Sequence, residues 1–373
     1  MSSSLRGAAL AALVLHTAAA TAADATPSIF SFSGYGTLGM TRSSERQADY
    51  TASNFQPNGA GHTRSWSADV DSRLGGQVTA EIDSHWSAVV QVVAEQRWDN
   101  SYTPALEWAN VRYAFTPAFS VRVGRIALPT FLMSNTRKVG YTLPWVRTPN
   151  AVYNALAMTS NDGADLTWSA QAGELRNTVV AYVGRNNSTY PNGSAGGYRE
   201  QARHMRGLAD TVNYGDLTLQ LSHFDAKLSS AAIGLVDQPY RVNSAGASFD
   251  PGAWFVTSEW ARISGQDAHA IPSWYLGAGA RLGAWTPYAG INWRKQAYPE
   301  LHSLGLAQST VGIGQRGRNV GLRWDVSKNA DLKLQYDRNT PDAGSVGTLV
   351  NFQPGFRPGV AYNVVSLALD FVY

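Results

Sequence analysis

The sequence predicts an all-β fold, a transmembrane antiparallel β-barrel most simply of sixteen strands. Three observations carry this. The 373-residue chain opens with an export address, alternates apolar and polar residues almost throughout, and joins its strands by connections that are by turns short and long. Composition agrees. With no cysteine, a disulfide framework, a zinc–thiolate site, an iron–sulfur cluster and a thiol nucleophile are all excluded. With 15% charged residues, 35 Gly, 12 Trp, 17 Tyr and 12 Phe, the chain is too aromatic for disorder and too rich in Gly and β-formers for a helical bundle. No segment after the export address supplies the ~18–20 apolar residues of a membrane helix. A net charge of +3 without a basic tail argues against a nucleic-acid partner.

The elements follow in order. Arg6 gives a positive start, Ala8 to Leu15 an apolar run, and Ala20-Thr21-Ala22 or Thr21-Ala22-Ala23 a small-residue cleavage site, so residues 1–23 read as a signal peptide. Residues 24–373 then form one barrel domain, with 29 basic and 27 acidic residues once Arg6 is removed from the 30. From Trp66 to Ile82, Trp66, Ala68, Val70, Leu74, Val78, Ala80 and Ile82 fall on one face, while Asp69, Asp71, Arg73, Gln77 and Glu81 fall on the other. A strand that long suits a tilted membrane crossing better than a sandwich. The spacing predicts strands near 28–42, 64–82, 86–98, 106–115, 119–128, 160–170, 175–184, 204–214, 217–227, 240–250, 253–263, 273–283, 286–296, 315–326, 331–339 and 360–373. Poor alternation in 160–170, 204–214 and 240–250 leaves 14 or 18 strands open.

Short turns are predicted at Asp83-Ser84-His85, Thr116-Pro117-Ala118, Gly215-Asp216, Pro251-Gly252, Ala284-Trp285 and Ser327-Lys328-Asn329. Long loops are predicted at 43–63, 129–159, 185–203, 228–239, 264–272, 297–313 and 340–359. That alternation marks tight periplasmic turns and longer external loops. In the last strand Val365, Leu367, Leu369, Phe371 and Tyr373 repeat at spacing two. Left as a free edge it would invite aggregation; paired with the first strand it closes a barrel. Aromatic residues near strand ends, among them Trp86, Phe115, Phe119 and Trp254, suit interfacial girdles.

FSGYGTLGM (Phe32 to Met40), DSRLGGQV (Asp71 to Val78), VRVGRIALP (Val121 to Pro129) and the terminal LALDFVY resemble Gram-negative outer-membrane porins of the sixteen-stranded general-diffusion superfamily. The EQRWD stretch, Glu95 to Asp99, is also similar to that of proteobacterial porin-like proteins, which names no substrate. The resemblance implies an outer-membrane homotrimer, a passive channel for small hydrophilic or anionic solutes, and a third loop folded into the lumen. In this chain the connection at 129–159, about 31 residues, is the longest, and it lacks the acidic tip many such porins carry. Such a protein would partner outer-membrane lipids and lipopolysaccharide. It would meet the barrel-assembly machinery through the C-terminal strand ending at Tyr373.

Charge placement suggests a lumen preference. From Trp108 to Asn161 there is no Asp or Glu, yet Arg112, Arg122, Arg125, Arg137, Lys138 and Arg147 occur. Such residues on a low-dielectric wall concentrate anions. The candidate pore-lining residues are Arg73, Arg112, Arg122, Arg137, Lys138 and Arg147, with Arg281, Arg294, Arg323 and Lys333 as further lumen-facing cations. Strict alternation places Arg125 on the lipid side. Asp69, Asp71, Glu81 and Glu95 stand on adjacent lumen faces and would offset the basic wall. Tyr141, Trp145 and Tyr153 either stack sugars or pack the loop against the wall. None of the seven histidines forms HExxH, and no GxSxG elbow, GxGxxG or P-loop occurs, so no enzyme activity, metal or cofactor is expected. The alternatives to a channel are a structural or adhesive barrel without transport, and an outer-membrane barrel enzyme.

Overall fold

The computed structural model describes residues 28–156, 158–192, 196–265, 270–295 and 312–373. The signal peptide at 1–23 and most of the 297–313 loop lie outside the described residues. Sixteen antiparallel strands close into one barrel. They are β1 (Phe30–Ser43), β2 (Arg73–Glu81), β3 (Trp86–Glu95), β4 (Ala105–Thr116), β5 (Phe119–Ala127), β6 (Ser160–Ala172), β7 (Leu175–Pro191) and β8 (Gly197–Tyr214). The second half comprises β9 (Leu217–Ser230), β10 (Leu235–Phe249), β11 (Trp254–Gly265), β12 (Ala270–Ala280), β13 (Trp285–Arg294), β14 (Gln315–Ser327), β15 (Ala330–Pro341) and β16 (Tyr362–Val372). Each strand pairs with its sequence neighbour, and β16 pairs with β1 through Gly36↔Phe371, Leu38↔Leu369 and Met40↔Leu367.

Period two explains the two faces. Leu38 is 63% exposed on the outside, whereas Thr37 and Thr41, one and three steps away, are buried on the inside. The outward residues form an apolar band, and Trp86, Tyr113, Phe115 and Phe119 make a contiguous aromatic row beside the short turns.

Several boundaries differ from the sequence reading. The second strand begins at Arg73 and not at 64; residues 65–72 are turns and bends apart from one bridge, Ser67 to Thr41, so Asp69 and Asp71 stand above the strand. The loops expected at 185–203 and 228–239 are largely strand, because β7, β8, β9 and β10 run 14 to 18 residues. The three segments of poor alternation are all strands. Register shifts in β8 break its period, which is why alternation alone reads it weakly. Outside the barrel, Leu349–Val350, Asp49–Tyr50 and Ala60–Gly61 form a small sheet that ties the last external loop to the first.

The connection between β5 and β6 carries a 3-10 turn at Gly140–Thr142 and a short helix at Asn150–Tyr153. It packs against inward side chains. Phe131, Trp145, Val152, Tyr153 and Leu156 share an apolar cluster with Phe224, Val242, Phe255, Tyr275 and Tyr288 of the wall. At about 1.5–3 kcal/mol for each large side chain buried, this contact alone seats the loop firmly. A lumen uniformly polar on its inner face, as strict alternation suggests, is therefore not what β9 to β13 present.

Candidate functional site

Four of the six candidate residues meet at one place. Arg73, Arg137, Lys138 and Arg147 line a cavity of about 60 Å³, together with Asp71, Glu95 and Thr37. The 129–159 connection supplies three of these cations, while β3 supplies Glu95 and the turn before β2 supplies Asp71. At β4 the register passes from Gln91↔Trp108 to Val92↔Leu106, leaving Glu107 as an extra residue. That bulge delivers its carboxylate to the inside. Lys138 Nζ donates to Glu95 Oε1 at 2.6 Å and to Glu107 Oε2 at 2.8 Å. Burial opposes the charge on Lys138, but Glu107 and Glu95 outweigh it and hold its pKa above the ordinary lysine value. Arg73 lies 3.9 Å from Glu95.

Arg147 is the most heavily bonded residue of the site. Its Nε and Nη2 donate to Asp71 at 2.8 and 2.7 Å, Nη2 also donates to Ser366 Oγ at 2.5 Å, and Nη1 lies 3.5 Å from Asp337. Its guanidinium sits 5.4 Å over the Tyr50 ring, which joins the loop to the small external sheet. Burial works against both charges of the Arg147–Asp71 pair. Mutual attraction overrides it, so arginine stays raised and Asp71 stays below the ordinary carboxylate value. Arg137 differs. It donates to the Tyr153 carbonyl at 3.3 Å and lies 5.4 Å over the Tyr153 ring, burial lowers its pKa, and it has no ion-pair partner among the described residues.

Arg112 and Arg122 do not join this cavity. They face each other across β4 and β5, and Arg122 makes a two-pronged bond to Asp165 of β6 at 3.0 and 2.6 Å. Arg125 faces outward, as alternation indicates, and pairs with Asp162 at 2.6 Å. The basic stretch read from 108 to 161 is thus largely compensated. Glu107 and Asp162 bound that stretch in sequence, and both are partners, as are Asp71, Glu95 and Asp165 from neighbouring segments. A linear window cannot see pairs made across strands.

Three further anchors hold the loop. Lys333 Nζ donates to the Gly140 carbonyl at 2.7 Å and to Asp370 at 2.8 Å. Arg323 Nη1 donates to the carbonyls of Tyr141 and Leu143 at 2.8 and 3.1 Å. Gly140 has no room for a side chain, since a Cβ there would collide with Asp370 and Thr37. Glu259, which the sequence reading missed, accepts from Tyr153 Oη at 2.6 Å, Tyr275 Oη at 2.7 Å and the Leu132 N–H at 2.8 Å. Its signal was present: a lone acid on the same face as Phe255 and Ala261 needs buried donors. Trp145 packs edge-on to Phe255, Tyr275 and Tyr288, and Tyr153 on Phe131, so both pack the loop against the wall. Tyr141 and Trp145 also line a larger cavity of about 500 Å³ toward the short turns, with Arg281 and Arg323.

A closed sixteen-strand barrel with an apolar outer band and a charged loop inside defines a membrane channel. The family model of Gram-negative porins matches residues 9–344, and the chain belongs to that family. It is an outer-membrane protein that forms a channel for passive diffusion. No curated protein matches it in sequence. Among solved structures it is similar to an anion-selective porin from Comamonas acidovorans, at 13% identity and TM-score 0.58 over 92% of this chain and 99% of that one. OmpF of Salmonella typhi in complex with daunomycin aligns at 12% identity and TM-score 0.56, over 92% and 97%. The outer-membrane channel DcaP of Acinetobacter baumannii aligns at 10% identity and TM-score 0.56, over 92% and 97%.

Proposed function

We propose that this porin passes small hydrophilic solutes through a loop-lined constriction with a weak preference for anions, and that it does no catalysis. One observation carries the preference. Asp71, Glu95 and Glu107 are all engaged by cations, whereas Arg137 has no ion-pair partner among the described residues. The near balance of the remaining charges keeps the preference weak. The 129–159 connection, packed on the inner wall, narrows the passage beside these charges. The anion-selective title of the Comamonas acidovorans structure points the same way.

Residues 1–23 serve as the export peptide on this reading, and 24–373 as one barrel. The barrel assembles as a homotrimer, as the trimer form of Vibrio cholerae OmpT suggests. Its other partners are outer-membrane lipids, lipopolysaccharide and the barrel-assembly machinery, which would meet the strand ending at Tyr373. The test is the reversal potential in a KCl gradient for wild type and Arg137→Gln. An anion-leaning potential that moves toward zero in the variant supports the reading. A cation-leaning wild type overturns it.

A further inference from the structure

The connection between β1 and β2, residues 44–72, reaches a wall far from its own strands. Its Phe55 ring stacks on Tyr190, with centroids 5.0 Å apart and planes 23° apart. Tyr190 stacks in turn on Tyr198, at 5.4 Å and 22°. The two tyrosines are a directly opposed pair near the tip of the β7–β8 hairpin. Four strands, β3 to β6, separate β2 from β7 around the ring. Period two fixes the side on which they meet. Counting back from Tyr190 by twos gives Ser188, Asn186, Gly184 and Tyr182, and Asn186 and Tyr182 are buried on the inner face. The contact is therefore made over the mouth of the lumen and not along its rim.

Neutral bonds fasten this strap along its length. Asn150 Nδ2 donates to Tyr50 Oη at 3.0 Å, and Asn54 Nδ2 donates to the Asn154 carbonyl at 2.7 Å, so the strap lies on the 129–159 connection. Asn58 Nδ2 donates to Asn100 Oδ1 at 2.9 Å in the β3–β4 connection. That connection also braces the hairpin: Gly197, beside Tyr198, has no room for a side chain because Trp98 lies against it. From Tyr50 to Gly61 there is no charged residue. A barrier of this composition sorts solutes by size and leaves the sign of their charge to the inner cavity.

Position along the barrel axis gives the strap its effect. Tyr190 is fifteen residues along β7 from Leu175 at the short turn. At ~3.3 Å per residue and a tilt of ~40°, that is about 38 Å, beyond an apolar band ~25 Å tall, so the latch lies on the external side. Ala52, Ser53 and Phe55 border the cavity that holds Arg137 and Lys138. The strap thus covers that cavity from outside, and a solute entering the channel meets it first. An aromatic pair biases the latched state about twofold to tenfold, and one substitution removes that bias.

We propose that the strap from Tyr50 to Gly61, latched by Phe55 on Tyr190, is an outer size filter over the inner constriction. It rests on the conduction reading, which the KCl conductance of the wild type tests separately. The test uses the refolded full-length barrel in liposomes, with glucose and the trisaccharide raffinose as probes. In Phe55→Ala the rate of raffinose entry relative to glucose should rise about twofold to tenfold, while Phe55→Tyr keeps the wild-type ratio. The KCl reversal potential and heat-modifiable gel migration should stay as in wild type, which certifies the inner charges and the fold. The chain has no cysteine, so Phe55→Cys with Tyr190→Cys introduces the only thiols. That variant should admit raffinose as Phe55→Ala does, and a short bis-maleimide bridging the two thiols should return the ratio to the wild-type value. An unchanged ratio in Phe55→Ala, or a bridge that does not restore it, overturns the proposal. So does a reversal potential that shifts with the ratio, which would place the effect at the inner charges.

Discussion

Arg147→Met removes the centre of the loop's ion network and nearly preserves side-chain length. Asp71 then keeps the Thr41 hydroxyl at 2.8 Å but loses both guanidinium bonds, and Asp337 loses its nearest cation. Removing one partner of a buried pair costs about 3–5 kcal/mol. At about 1.4 kcal/mol per tenfold, that moves the equilibrium between seated and displaced loop by roughly two to three and a half powers of ten. The Lys333 and Arg323 bonds to the loop backbone and the Trp145 cluster still resist release, so displacement is confined to the segment around 146–149. The assay is single-channel conductance with thermal unfolding. Conductance should rise, neutral sugars should enter loaded liposomes faster, and Tm should fall. Adding Asp71→Asn should recover part of the stability, because it removes the stranded charge. Wild-type conductance and Tm in Arg147→Met would refute the idea that this network seats the loop.

Three further outcomes follow from the same geometry. Lys138→Gln takes the cation from Glu107 and leaves Glu95 only Arg73 at 3.9 Å, so the reversal potential should move toward cations; movement toward anions would contradict the charge assignment. Trp145→Ala empties a site packed by Phe255, Tyr275 and Tyr288, at a cost of about 3–5 kcal/mol read by denaturant unfolding. A Tm within a degree of wild type would contradict that packing. The folded pKa of Asp71 is depressed below its ordinary 3.8, so its contribution to loop seating is complete above that value and is lost as pH falls through the folded pKa. The Asp71 contribution to conductance should therefore change only below about pH 4.

The barrel was legible because period two and the rhythm of connections are local properties of the chain. Closure was legible in the apolar spacing of Val365 to Tyr373. What escaped was non-local. The acid-free stretch suggested bare cations, but Glu107 reaches the lumen through a bulge, and Asp165 reaches Arg122 across a strand pair. Strand two was overextended because Trp66, Ala68 and Val70 happen to continue its spacing through a turn. Glu259 and the apolar inner face of β9 to β13 were missed because alternation distinguishes two faces but does not say that a loop packs on the inner one. Arg73, Arg137, Lys138 and Arg147 were found together because their residue types and the loop's length both pointed inward.

The most direct test is single-channel current from the refolded full-length protein in a planar bilayer under a KCl gradient. The account predicts discrete ohmic openings, closing in three equal steps, with a small anion-leaning reversal potential. A heat-modifiable, folded barrel that never conducts would contradict it.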